Sequence, residues 1–196
     1  MTDAGQDKPR RLRFRFPVWG IIPVVAAALL GAFLWSLLHP SPDLPSALIG
    51  RPMPAFALPP IKGRADGLQT ADLNDRVVLV NFFASWCVPC RAEIPLFLEL
   101  SRSAVVPIYG IDFKDKPEKI LPWLQEAGDP YTRIGADGDG RTGIEFGVYG
   151  MPETFVVDAK GAIAYRLVGP VTRSNLDQTI LPLIRRLQQD AGKSNP

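Results

Sequence analysis

The chain has 196 residues, 46% hydrophobic and 21% charged, which suits one domain with attachments and excludes a disordered chain. Twenty-two Lys and Arg against 20 Asp and Glu leave a net charge of +2, far short of the concentrated basic excess that a phosphate backbone requires, so nucleic acid is not an expected partner. A single histidine, His39, and two cysteines, Cys87 and Cys90, exclude sites built from several imidazoles or a second thiolate pair, most zinc sites included.

Residues 1–17 form a basic tail, with Lys8, Arg10, Arg11, Arg13 and Arg15. From Val18 to Leu38 there is no charge, and at about 1.5 Å rise per residue the run reaches about 30 Å, the hydrocarbon thickness of a bilayer. A cleaved signal peptide is the competing reading, but its apolar region is usually about 7–15 residues long and ends at small residues of A-x-A type. SLLHPSPDLPSA follows here instead, which favours an uncleaved anchor with Trp19 and Trp35 at the two interfaces. The basic flank precedes the span and Asp43 is the first charge after it, so the N-terminus is expected in the cytoplasm and the rest outside. Arg10-Arg11 also suggests a twin-arginine export signal, yet the positive-inside bias alone accounts for the pair. Residues 39–45 read as a proline-rich spacer, 46–191 as the soluble domain and 192–196 as a tail.

Within the domain, Arg76 to Ala84 is a nearly continuous β-branched and aromatic run, the pattern of a strand buried on both faces. Val88 to Arg102 reads as a helix that Pro95 kinks, and Val105 to Asp112 as a second strand, which makes a strand, helix, strand unit with a parallel pair. A helix is expected over Lys116 to Ala127, with Pro117 in its first turn. The glycine-rich stretch from Gly135 to Gly147 breaks regularity. Its Asp137-Gly-Asp139-Gly faintly suggests a calcium loop, but Arg141 and Val148 stand where carboxylates are needed, so it reads as a surface turn. Glu153 to Val157 and Ala162 to Leu167 form an expected antiparallel hairpin around Asp158 to Gly161, and a last helix starts near Arg173.

The chemistry concentrates at Trp86-Cys87-Val88-Pro89-Cys90, where the buried strand gives way to the helix. Free N–H groups and the helix dipole there lower the pKa of Cys87, making it a nucleophile at neutral pH, while Cys90 lies one turn later, within reach of a disulfide. Cys87 is expected to attack and Cys90 to resolve. A structural disulfide is the plainer reading, but so short a loop removes little unfolded-state entropy. Haem attachment needs a histidine where Arg91 stands, and zinc needs two further ligands. No metal or cofactor is expected beyond the redox-active Cys87–Cys90 pair.

These residues, with Pro152 in Gly147-Val-Tyr-Gly-Met-Pro-Glu-Thr154, resemble the thioredoxin fold: an α/β domain with a mixed central sheet flanked by helices, here behind one transmembrane helix. The chain is most similar to the membrane-anchored thiol–disulfide proteins of cytochrome c maturation, the CcmG or DsbE family. The anchor, the Leu48 to Pro59 lead-in, the W-C-x-x-C-R-x-E segment from Trp86 to Glu93 and the G-V-Y-G-x-P-E-T segment carry the likeness. The resemblance implies a thiol:disulfide oxidoreductase of the inner membrane with its catalytic domain in the periplasm. It would reduce apocytochrome c, or its mixed disulfide with a maturation partner, before haem attachment, drawing electrons from a membrane thiol carrier.

The resemblance further makes Pro152 the cis-proline of a substrate groove shared with Met151 and Trp86. It places Glu93 and Glu153 at acidic positions near the active site, where either takes a proton from Cys90 or tunes it; the plainer readings are a helix-surface charge and a strand-end charge. Trp86 covers the disulfide in one reading and is core in the other. Thioredoxin's buried aspartate is replaced by Asn81, which accepts no proton at neutral pH, so another group or water must do so. Two further functions compete: a broader extracytoplasmic disulfide reductase, and a non-catalytic polypeptide-binding module with a structural disulfide. A peroxidase is disfavoured, because such enzymes on this fold place Thr where Ala84 stands, three residues before the reactive cysteine.

Overall fold

The structure, a computed structural model, describes residues 18–38 and 47–193. The basic tail, the spacer from His39 to Pro45, and residues 194–196 lie outside the described residues. Two units are distinct, one holding the N-terminal helix and the other the domain.

Helix α1, Val18–Leu38, runs 21 residues without an acid or a base. Its apolar side chains are open to the surroundings, Val24 and Trp35 each at 67%. Among the described residues no helix is long and apolar enough to cross a membrane, so the expected transmembrane anchor is not shown by the fold.

The domain is built on a five-stranded sheet in the order β5-β4-β3-β6-β7. Strands β3 (Val78–Phe83), β4 (Ile108–Phe113) and β5 (Arg133–Asp137) are parallel; β6 (Glu153–Val157) runs antiparallel to β3, and β7 (Ile163–Val168) antiparallel to β6. Every residue of β3 is buried, because both faces of the sheet are covered. On one face Leu79 and Phe83 meet Ile94 and Phe97 of α2 (Val88–Ser103), Trp123 of α3 (Ile120–Ala127) and Ile184 of the C-terminal helix. On the other, Val80 and Phe82 meet Met53, Leu68 and Leu73 of the lead-in together with Phe146. The lead-in carries a short antiparallel pair, β1 (Ala57–Leu58) and β2 (Leu68–Gln69).

The strand, helix, strand unit is parallel as expected, with Leu79 opposite Ile108. Three expectations need correction. The glycine-rich stretch is not a surface turn: it holds the end of β5 and a short helix, α4 (Arg141–Glu145). Gly135 sits there because a Cβ would come within 2.6 Å of the Cβ of Leu58, and the Asp137 carboxylate accepts the N–H groups of Thr142 and Gly143 at 3.2 and 2.8 Å. Helix α3 begins at Ile120 rather than Lys116, after a turn closed by the Lys119 N–H on the Lys116 carbonyl. The last helix is interrupted: a single turn, α5 (Arg173–Asn175), widens to π geometry over Leu176–Ile180 before α6 (Leu181–Lys193). Pro182 lacks the N–H that an α-helix would direct to the carbonyl of Gln178.

Candidate active site

Strand β3 ends at Phe83, and the next residues turn the chain into α2. The Cys87 N–H donates to the Ala84 carbonyl at 3.2 Å, and the Ser85 hydroxyl and N–H both donate to the Asp115 carboxylate, the hydroxyl at 2.8 Å. Cys87 is therefore the N-cap of α2, with Pro89 in the first turn, where its missing N–H costs nothing. Cys87 and Cys90 form a disulfide with Cα atoms 5.3 Å apart. Cys87 is 4% exposed and Cys90 fully buried, so only the first sulfur meets an incoming group. The Cys90 N–H donates to the Cys87 sulfur at 3.1 Å, a bond that strengthens when that sulfur carries charge. Trp86 is 57% exposed and Val88 80%, so Trp86 is not core.

Glu153, the first residue of β6, stands opposite Phe82. The preceding Met151-Pro152 bond, which is cis, thus lies at the end of the sheet where β3 delivers Cys87. Pro152 is buried, Met151 packs against the core on both faces, and the Pro152 carbonyl accepts the Gly169 N–H at 2.9 Å. Tyr149, just before them, is 73% exposed.

The two glutamates part company. Glu93, one helical turn after Cys90 on the same face of α2, is fully buried. Its carboxyl accepts the Asn81 side-chain amide at 3.0 Å and the Val171 N–H at 2.9 Å. Asn81 also donates to the Thr154 hydroxyl at 3.1 Å and accepts from the Tyr131 hydroxyl at 2.8 Å, which completes a buried polar cluster around Glu93. Burial, outweighing the Val171 and Asn81 hydrogen bonds, pushes the Glu93 pKa up to about 8. It is not a surface charge. Glu153 shares the opposite face with Phe82 and Phe155. There its carboxylate receives the Tyr149 and Gly150 N–H groups at 3.1 and 3.4 Å and pairs with Arg166 at 2.7 Å.

Sequence reasoning missed Tyr131, Thr154, Asp112 and Asp115. Asp112, at the end of β4, is 4% exposed with one oxygen lacking a hydrogen-bond partner. Burial first, then the charge of and hydrogen bond with Asp115, raise its pKa to about 8. The sequence carries a signal only for Tyr131, an aromatic with a polar tip in an apolar segment that needs a buried partner.

Residues 49–166 match the AhpC/TSA family. The thiol:disulfide interchange protein DsbE of Pseudomonas aeruginosa is 42% identical over 86% of this chain and 91% of its own length. The interchange protein HelX of Rhodobacter capsulatus is 41% identical over 82% and 92%. A crystal structure of a thioredoxin-family thiol:disulfide interchange protein from Chlorobium tepidum superposes with a TM-score of 0.55 at 26% identity, over 68% of this chain and 94% of that one. With an oxidisable pair at a helix entrance beside a proline loop on a mixed thioredoxin-like sheet, and with this likeness over most of its length, the chain belongs to the DsbE family of thiol:disulfide oxidoreductases.

Proposed function

We propose that this protein is a membrane-anchored periplasmic reductase that opens disulfides of apocytochrome c, or its mixed disulfide with a maturation partner, before haem attachment. The observation that carries the reading is the Cys87–Cys90 pair at the entrance of α2, with only Cys87 reachable, beside the Met151-Pro152 loop. The DsbE and HelX names of the relatives support thiol exchange as the chemistry.

In the reduced enzyme the Cys87 thiolate, held by the Cys90 N–H and the helix dipole, attacks one sulfur of the substrate disulfide. The other substrate sulfur leaves as a thiolate, and Cys87 is joined to substrate. Cys90 then yields its proton to Glu93 in its ionised form, the minority form near pH 7 because its pKa is about 8, and that value lies close enough to the ordinary thiol value of about 8.5 for the transfer to be nearly balanced. The Cys90 thiolate attacks the Cys87 sulfur, the second substrate thiolate departs, and two electrons have passed to the substrate. The product is the disulfide seen in the structure. A membrane thiol carrier resets the pair, and no further cofactor is needed. Pro152 has no N–H, so beside Cys87 its loop offers carbonyls and Met151 to an extended peptide, with Trp86 at the rim.

Helix α1, uncharged over 21 residues with its apolar side chains outward, serves as the anchor, and the basic flank before it keeps the N-terminus cytoplasmic. Fractionation tests this: the chain should remain in membranes after a high-salt wash, and a processed soluble form would replace the anchor with a cleaved signal.

The substrate is tested in cells. A Cys90→Ser variant should accumulate a mixed disulfide with apocytochrome c through Cys87, and deletion should deplete holocytochromes c, with partial recovery on adding external thiol reductant. Normal holocytochrome levels after deletion, with no second reductase present, would move the reading to a broader disulfide reductase. A Cys87→Ser chain that retains full function would make the protein a binding module.

A further inference from the structure

Arg166, in the middle of β7, has no part in the exchange chemistry, yet it holds the Gly147–Pro152 loop and Glu153 at several points. Its Nε donates to Glu153 Oε2 at 2.7 Å, and its Nη2 lies 2.7 Å from the same oxygen. That Nη2 also donates to the Gly147 carbonyl at 2.8 Å. The guanidinium plane stands over the Tyr149 ring, 5.0 Å from its centroid. The other oxygen of Glu153 receives the Tyr149 and Gly150 N–H groups. One planar cation therefore ties down the first residue of the loop, the ring in its middle and the carboxylate just after Pro152. The ion pair itself is sheltered, with Arg166 10% and Glu153 0% exposed in their side chains, whereas the bond to the Gly147 carbonyl lies at the surface.

We infer that Arg166 is a positioning residue for reduction of polypeptide disulfides: from the sheet face opposite Glu93 and Cys90 it fixes the loop that aligns substrate with Cys87. The inference rests on the reductase reading above. Tyr149 is 73% exposed, with its ring lying on the guanidinium rather than in the core. A rigid fork of five donors can hold carbonyl, carboxylate and ring together; a lysine ammonium, a point charge, cannot. The expected signature is selective for substrate size. A polypeptide needs the loop, whereas a small disulfide needs only a nucleophilic Cys87.

The test uses the reduced full-length chain in detergent, with an intramolecularly oxidised peptide of Cys-x-x-Cys-His type and, separately, oxidised β-mercaptoethanol. Arg166→Met should lower kcat/KM for the peptide at least about tenfold, the scale on which small misplacement of reacting groups acts. The rate with oxidised β-mercaptoethanol and the thiolate absorbance titration of Cys87 should stay within about twofold of wild type. Arg166→Lys should recover little of the peptide rate. If Arg166→Met does not fold, the Arg166→Met/Glu153→Gln chain, which strands no buried charge, carries the same comparison. Equal losses on both substrates, no loss on the peptide, or full rescue by lysine would each overturn the inference. A wild-type chain that reduces the small disulfide but not the peptide would instead refute the reductase reading on which it rests.

Discussion

Glu93 and Glu153 are the same residue, each fully buried, each at the edge of the same disulfide site, and they have been given opposite surroundings. Glu93 faces only neutral donors, the Asn81 amide and the Val171 N–H, and burial drives its pKa to about 8. Glu153 faces a guanidinium and two backbone N–H groups. A buried carboxyl that no cation neutralises is poised to gain and lose a proton, whereas the Glu153 carboxyl is tied to a guanidinium and two backbone N–H groups that hold the loop before it. The sheet separates the two carboxyls physically, with Glu93 on the α2 face and Glu153 on the other.

The largest expected effect is on the shape-holding member. Glu153→Ala leaves Arg166 buried beside no anion and two N–H groups without an acceptor, and should cost roughly 3–5 kcal/mol in urea unfolding. Glu93→Ala removes no counter-ion and should cost about 1–3 kcal/mol, chiefly through the unpaired Val171 N–H and Asn81 amide. Equal costs would break the comparison.

The next effect is kinetic. Glu93→Gln keeps an acceptor for the Val171 N–H but takes no proton, so resolution of the mixed disulfide by Cys90 should slow about hundredfold near neutral pH, the usual scale of lost general base catalysis. Stopped-flow decay of a preformed Cys87 mixed disulfide reads this step directly. A wild-type decay rate would assign the proton of Cys90 to another group or to water.

Much of this site was legible because its signals are local. Strand β3 announces itself by an unbroken apolar run, and the cysteines by their position where that run meets a helix; the β6–β7 hairpin follows from its turn residues. Strand β5 was not legible, because Gly135 reads as a breaker while its use is close approach to Leu58, a residue far away in the chain. The duties of the two glutamates were hidden for the same reason. Glu93 takes its environment from Asn81, 12 residues before it, and Val171, 78 after, while Glu153 depends on a cross-hairpin arginine 13 residues on. Which face each occupies is fixed by the Phe82 to Glu153 register, a property of the assembled sheet that no single segment carries.

The smallest effect sharpens the comparison through a third buried carboxyl. Asp112 lies on the Glu93 side of the sheet in register with Phe83, faces Asp115 and the Tyr131 ring system rather than a cation, and has a pKa near 8 as well. Both groups hold a proton in the folded chain at pH values where the unfolded chain has released it. The unfolded state then binds fewer protons, so stability should fall as pH rises from about 4 towards 8, by at most about 1.4 kcal/mol per pH unit for each group. Asp112→Asn should remove one of the two contributions, flattening the slope and leaving the chain more stable than wild type at pH 8, where an ionised Asp112 oxygen without a partner is costly. Glu93→Gln should remove the other. Urea midpoints of the oxidised chain at several pH values between 5 and 8.5 check both. A slope that survives the two substitutions together would place the titrating groups elsewhere and remove the physical ground for reading the α2 face as the one that handles protons.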